Sequence, residues 1–456
     1  MKLFRSFLIT VVMVSSSACL TSCGSDDEAS GATTPASSVT FASPGGFIEP
    51  VASYLRPRWN APELRTFLPN SRGRFFFPPP YNTEAIRITD ASDCGGTDCV
   101  NPVGYSYWRN TNAHVGSRYM WIFLGLAKGK GGAGPTLFRL DKTNFSITKM
   151  GPLFPAGSQF ISQSGQGWYF SASRANKLYV NFGPKLLRYD VATHLFDPVL
   201  DITGYFGDNR DVWQMHSSND DTVHSATLRN SKTGEYLGCM VFHETTRKMS
   251  FFPKKGTFDE CQIDMSGRFL MISENIDGRN GLDSIFIDLQ SGEETVVYDQ
   301  NHAVTHVDMG YGYVVGGDNY TPLPNSVITW MFFGSFYKGP SVYHGADWNF
   351  PRVQHVSHQN AKPWLPMRQQ FACGSGANRA VAQDEILCFR LDGANKELVV
   401  APVMTDMNAS GGGTDYFKLP KGNLDISGQY FIWTTNMGGN RIDAFIVKVP
   451  AQLLMN

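Results

Sequence analysis

The stretch "ECQIDMSGRFLMISEN", Glu260 to Asn275, followed by "DSIFIDLQSGEETVVYD", Asp283 to Asp299, sets the reading of the chain. Apolar and β-branched residues fill two short segments on either side of Asp264, Ser266 and Gly267, and a third follows an acidic turn. Segments of that length and composition, punctuated by turn residues, are antiparallel strands. The same order recurs in "GNLDISGQYFIWTTNMGGNRIDAFIVKVP", residues 422–450, and, less fully, in "THVDMGYGYVVGGDN" with "NSVITWMFF".

Working outward, the pattern extends to "RYMWIFLGL" with "TLFRLDKTNFSITKM", to "KLYVNFGPKLLRYDVATHLFDPVL", and to "WQMHSSNDDTVHSATLRN" with "EYLGCMVFHE". "QHVSHQN" with "QQFACGSG" and "DEILCFRLDG" makes the seventh unit. A repeat of roughly 45 residues built from small sheets cannot bury its faces alone and stacks radially. We therefore expect an all-β, seven-bladed β-propeller. Two packed β-sandwiches would explain the strands but not the recurring D-x-S-G turn. The final unit ends at "AFIVKVPAQLLMN" without an evident fourth strand, so an N-terminal strand such as "GRFFFPP" is expected to close the ring.

The N-terminus carries two early cations, an apolar run from Leu8 to Val14 and "LTSC" ending at Cys23. This is a secretory signal, too short to remain as a membrane span, and it resembles a bacterial lipoprotein leader with lipidation at Cys23. Gly24 in place of aspartate favours the outer membrane. We divide the chain into a leader over 1–22, a flexible tether over 23–46 and the propeller over 47–456. The expected location is the cell envelope, anchored through lipid, at the periplasmic face or the cell surface.

With 39 basic against 40 acidic residues there is no cationic excess for nucleic acid. Beyond Cys19 and Cys23, the six remaining of eight cysteines are an even number in an exported chain, which favours disulfides. Cys94 and Cys99 close a small loop, Cys373 and Cys388 sit on neighbouring strands, and Cys239 and Cys261 are left over. Glycine-rich "GSGANR" and "ASGGGTD" do not lie between a strand and a helix, which argues against a phosphate loop, and no G-x-S-x-G elbow occurs.

In a propeller the innermost strand of each blade lines the tunnel. Alignment on the D-x-S-G turn places His216, Gln262, His306, His355 and Asn423 two residues ahead of Ser218, Asp264, Asp308, Ser357 and Asp425. Imidazoles and an amide oxygen on adjacent spokes suit a divalent cation, Mn, Fe, Zn or Ca, so His216, Gln262, His306 and His355 are the expected ligands. Water filling the tunnel explains polar residues there equally well. His358 is a candidate base beside the metal, or a turn-stabilising residue, and Arg210 is a candidate partner for a substrate carboxylate, or for Asp208 or Asp211. Tyr105, Trp108, Trp213, Trp348 and Trp364 are candidates for stacking on a sugar, with packing as the commoner fate of such aromatic residues, and His302 is a candidate for lining the rim.

This layout resembles the seven-bladed propeller lyases of acidic polysaccharides, the oligogalacturonate lyases above all. That family holds a manganese-type ion with three histidines and a glutamine. The resemblance implies that Gln354, His355 and His358 approach the family's ligand cluster and that His306 is the remaining histidine. The family spacing is Gln-x-x-His-x-His, whereas here it is Gln-His-x-x-His. The implied activity is metal-assisted β-elimination on a uronate-containing saccharide. The alternative is a non-catalytic carbohydrate- or protein-binding propeller of the envelope. Elimination through that metal requires the four ligands to converge beneath an open cleft.

Overall fold

The computed structural model describes residues 44–50, 56–160, 167–279, 281–318, 326–332, 337–344, 353–379, 382–394, 396–439 and 441–455. Cys23, the leader, most of the tether and Trp348 lie outside the described residues.

Seven antiparallel sheets follow one another along the chain, each with its strands in sequence order: 111–152, 169–201, 210–253, 257–297, 304–344, 355–402 and 423–448. We number these blades first to seventh. The repeat read from sequence is therefore the blade. Its D-x-S-G turn is held by a carboxylate working in two directions. Asp264 accepts the N–H groups of Arg268 and Phe269 within its own turn, and it also accepts Gly312 N–H of the next blade at 2.9 Å. Asp425 does the first of these for Gln429 and Tyr430. Gly267 and Gly428 sit at φ 77° and 74°, where a side chain would be strained, which accounts for the glycine.

Serines on a second strand and on an inner strand tie neighbouring blades together. Ser225 Oγ accepts Ile263 N–H at 2.9 Å, and Ser357 Oγ accepts Leu424 N–H at 3.0 Å. Between blades the apolar faces meet in continuous clusters, so each sheet is covered on both sides, as radial packing requires.

Ring closure follows the expectation with one shift. The strand Glu84–Arg87 pairs with the seventh blade, Ile86 opposite Ile446, and supplies its fourth strand. The expected segment forms the strand Gly73–Phe76, but it lies one place further out, as a fifth strand. The reason is burial: all four residues of Glu84–Arg87 are buried, whereas only Phe75 of Gly73–Phe76 is. Phe47–Pro50 likewise adds an outer strand to the sixth blade.

All three expected disulfides form. Cys94 joins Cys99, Cys373 joins Cys388 directly across two strands, and Cys239 joins Cys261, linking the third and fourth blades. No helix among the described residues is long and apolar enough to cross a membrane.

Trp433, fully buried, packs on Phe77 and Phe445 and donates its indole N–H to Val403 O. It therefore joins the closing blade to the N-terminal segment and to the sixth blade. Trp433→Ala should cost about 3 to 5 kcal/mol. A urea titration checks this as a lower midpoint at unchanged slope.

Candidate functional site

The level at which a side chain meets the tunnel is set by how far its inner strand runs before turning. Among the described residues, five turns are closed by a backbone hydrogen bond to the second strand: Ser171 N to Lys177 O, Ser218 N to Val223 O, Asp264 N to Phe269 O, Gly310 N to Tyr313 O and Asp425 N to Tyr430 O. The fifth blade turns over 310–313, two residues shorter than its neighbours. Gly310, not Asp308, thus stands where Asp264 and Asp425 stand, and Asp308 is the true equivalent of His216, Gln262 and Asn423.

His306 falls four residues ahead of its turn, level with Gln214, Glu260 and Lys421. His355 joins that same upper level, because it pairs with Ser375 as Glu260 pairs with Ser273. The four residues expected to bind one metal are split between two levels, two residues apart along the strands. That offset is about 6.6 Å along the strand.

Side-chain contacts agree. His306 and His355 stack with ring centroids 4.4 Å apart. His216 lies instead against Trp108 and Tyr107, at 5.6 and 5.1 Å. The Gln262 amide donates to Glu260. Among the described residues, the three carboxylate, thiolate or imidazole groups with ligand atoms within 4.8 Å of one another are Asp277, Asp283 and Asp299, not these histidines. A single ion held by His216, Gln262, His306 and His355 does not fit this chain, although an ion at the upper level would find two imidazoles side by side.

What separates the levels is Tyr105 to Arg109, leading into the first inner strand, a stretch of which only Tyr105 and Trp108 were expected at the site, as residues to stack on a sugar. It crosses the lumen and touches five other blades. Arg109 Nε donates to Phe170 O at 2.8 Å and Nη1 to Gln359 Oε1. Trp108 Nε1 donates to Met215 O, Tyr107 O–H to Glu260, and the Tyr105 ring meets His306 and His355. Below this floor lies a nearly filled cavity of 20 Å³ lined by His216, Gln262, Asp308, Gln359 and Arg109. Burial, with Arg109 nearby, lowers the His216 pKa to about 3.

Above the floor the tunnel opens into a polar cavity of 270 Å³, lined by Tyr105, Gln214, Asp259, Glu260, His306 and Tyr416 among others. Three consecutive inner strands bulge there: between Trp213 and His216, Phe258 and Glu260, and Thr305 and Asp308. A bulge re-aims side chains, and these turn Gln214, Asp259 and His306 toward the cavity. His306 and Gln214 both sit at φ 47°, and Lys421 at 39°, left-handed backbone that a non-glycine residue holds at a cost.

The electrostatics of this level suit proton transfer. Burial, then the neighbouring Asp259 charge, raises the Glu260 carboxyl. Burial lowers Lys421 to about 7, with its ammonium 3.5 Å from the Tyr416 ring centroid. Burial also lowers His306 and His355, which keeps both imidazoles neutral. His355 Nδ1 is buried without a hydrogen-bond partner. Perturbed groups of opposite kind around one cavity mark a functional site.

The other expected site residues lie elsewhere. His358 is fully buried, with Nε2 against Tyr313 O–H at 2.6 Å and Nδ1 against Phe371 O at 2.9 Å, so both nitrogens are engaged and neither is free to act as a base. Arg210 opens the third inner strand, donates to Asn209 O and lines neither tunnel cavity. The Trp213 ring is covered by Arg229 at 3.9 Å. Trp364 is 73% exposed on the surface. His302 Nδ1 pairs with Asp318.

Lys421 supplies a pH test. Its folded pKa of about 7 lies below the ordinary 10.5, so between these values the unfolded chain binds the extra proton and stability rises with pH. Lys421→Met removes that dependence. The stability of wild type relative to this variant should increase from pH 7 to pH 10, read by denaturant titrations of both proteins.

No family model and no curated protein matches the chain. Among solved structures it is similar to an oligogalacturonate lyase in complex with manganese, at 11% identity and TM-score 0.57, covering 88% of this chain and 100% of that one. It is also similar to the oligogalacturonate lyase of Vibrio parahaemolyticus, at 10% identity and TM-score 0.55, covering 85% and 99%. At these identities the likeness is one of fold, and the fold shared with both is the seven-bladed propeller.

Proposed function

We propose that the open tunnel mouth receives an acidic, uronate-bearing saccharide and that the protein is a β-eliminating lyase of the cell envelope. The observation that carries this reading is the upper level itself. Glu260 and His306 line one open cavity, His306 turned into it on a strained bulge, while His355 stacks on His306 and Lys421 lies over the Tyr105 and Tyr416 rings that also line it.

Elimination needs the proton α to the carboxylate removed, the charge on that carboxylate offset, and the departing glycosidic oxygen protonated. Neutral His306 faces the cavity and is the base. Lys421, close to the Tyr105 and Tyr416 rings, contributes positive charge at the same end of the mouth. Glu260, protonated through its raised pKa, is the proton donor for the leaving oxygen. Tyr105 and Tyr416 offer ring faces and hydroxyls to the sugar. Each role belongs to this chain's own residues, and none requires the four-ligand ion.

A second reading, a carbohydrate-binding propeller without catalysis, draws on the aromatic floor of Tyr105 and Tyr107, whose rings stack at 5.3 Å. The two readings part on one assay. Incubation with a panel of uronate polysaccharides and oligosaccharides should raise the ultraviolet absorbance of an unsaturated uronate product. His306→Ala should lower that rate by about 10² to 10⁴. The rate should fall at acid pH as His306 protonates and at alkaline pH as Glu260 ionises, and Glu260→Gln should remove the alkaline limb. Saccharide binding with no absorbance gain for any substrate would favour the binding module.

For its place in the cell, we propose a lipid anchor at Cys23. Cys23→Ser should release the protein from the membrane fraction, checked by fractionation and by loss of labelled fatty acid.

A further inference from the structure

The lower ring has the donor set of a divalent-metal site but holds a cation of a different kind. His216 Nε2 is buried without a hydrogen-bond partner, and His216 is only 8% exposed. Asp308, 2% exposed, receives N–H bonds from His358 and Met309 and both its oxygens are met by the Gln359 amide at 2.8 Å. Gln262 lines the same cavity. One imidazole, one carboxylate and two amides, from four consecutive blades and lining one cavity, are nitrogen and oxygen donors of the type that manganese or zinc accepts.

The remaining volume of 20 Å³ admits no more than about one water. The space is taken by the Arg109 guanidinium, 4% exposed, which bonds Phe170 O and Gln359 and reaches Asn219 Oδ1 at 3.5 Å. Gln359 stands between the two charges. Its oxygen accepts from Arg109, and its nitrogen donates to Asp308. A buried carboxylate needs a compensating positive charge, and Arg109 provides it through that amide.

We propose that Arg109 is the tunnel's own cation: its guanidinium fills, from within the chain, a ring of His216, Gln262, Asp308 and Gln359 that would otherwise admit a divalent ion. The ring is a latent metal site kept closed by one side chain. Because Arg109 also ends the Tyr105 to Arg109 floor, the same side chain that closes the ring makes the mouth above it blind.

The test reads metal uptake, so its outcome is independent of whether the mouth catalyses elimination. Wild type, Asp308→Asn, Arg109→Ala, Arg109→Lys and the R109A/D308N pair are titrated with manganese chloride by calorimetry, with electron paramagnetic resonance to count bound ion and circular dichroism to confirm folding. Wild type and D308N should take up manganese equally. R109A should gain one equivalent, lost again in the R109A/D308N pair, while Arg109→Lys, which keeps a cation, should gain none. The proposal is overturned if D308N alone reduces manganese uptake, which would mean the ring already binds the ion. It is equally overturned if folded R109A gains nothing. Should R109A not fold, Arg109→Gln takes its place, and the comparison of wild type with D308N still decides whether the ring is closed.

Discussion

The hydrogen bond that closes an inner turn governs the tunnel. It decides on which residue an inner strand ends, and therefore which side chains share a level. In the third, fourth and seventh blades it spans six residues, Ser218 to Val223, Asp264 to Phe269 and Asp425 to Tyr430, and in the fifth only Gly310 to Tyr313. That difference of two residues moves His306 off the level of His216 and Gln262 and onto the level of Glu260 and Lys421. A metal-like ring and an acid–base ring are thereby built from alternate positions of the same strands.

The floor between the rings depends on buried charge. Asp308 is pushed up to about 7 by burial, against the donors that surround it and the Arg109 charge beyond Gln359. Such groupings are costly to leave half made, because removing one partner strands the other in a medium that cannot solvate it. Arg109, Gln359 and Asp308 hold the lead-in to the first blade across the lumen, and Tyr107 carries that restraint up to Glu260. The fold, the division of the tunnel and the chemistry of the mouth are coupled through this one path.

The architecture was legible because its causes are local and repeated. Asp and Gly in the turn each have a job in the structure, and Ser266 and Ser427 donate their hydroxyls to Asp264 and Asp425, so the motif recurs and can be counted. The disulfides followed from compartment and number, and closure by an N-terminal strand followed from the missing fourth strand of the last unit. The exchange of roles between Gly73–Phe76 and Glu84–Arg87 was not legible, since both stretches read as strands and only burial ranks them.

The site was legible in its residues and not in their grouping. His306 and His355 were recognised as lumen residues and are neighbours, yet they meet Glu260 and Lys421 rather than His216 and Gln262. His358 carries the residue type of a base, but packing against Tyr313 and Phe371 engages both its nitrogens. "YSYWR", Tyr105 to Arg109, carried one available signal: aromatic residues with an arginine just ahead of the first inner strand.

By itself the sequence determined the seven repeats, the turn chemistry, the pairing of cysteines and the polar character of the lumen, since all of these depend on residues close in the chain or on composition. Only the tertiary structure decided which polar residues face one another. Bulges and turn lengths shift strand register without changing the alternation of apolar and polar residues, and a residue as distant in sequence as Arg109 is from Gln359 can take the centre of a ring.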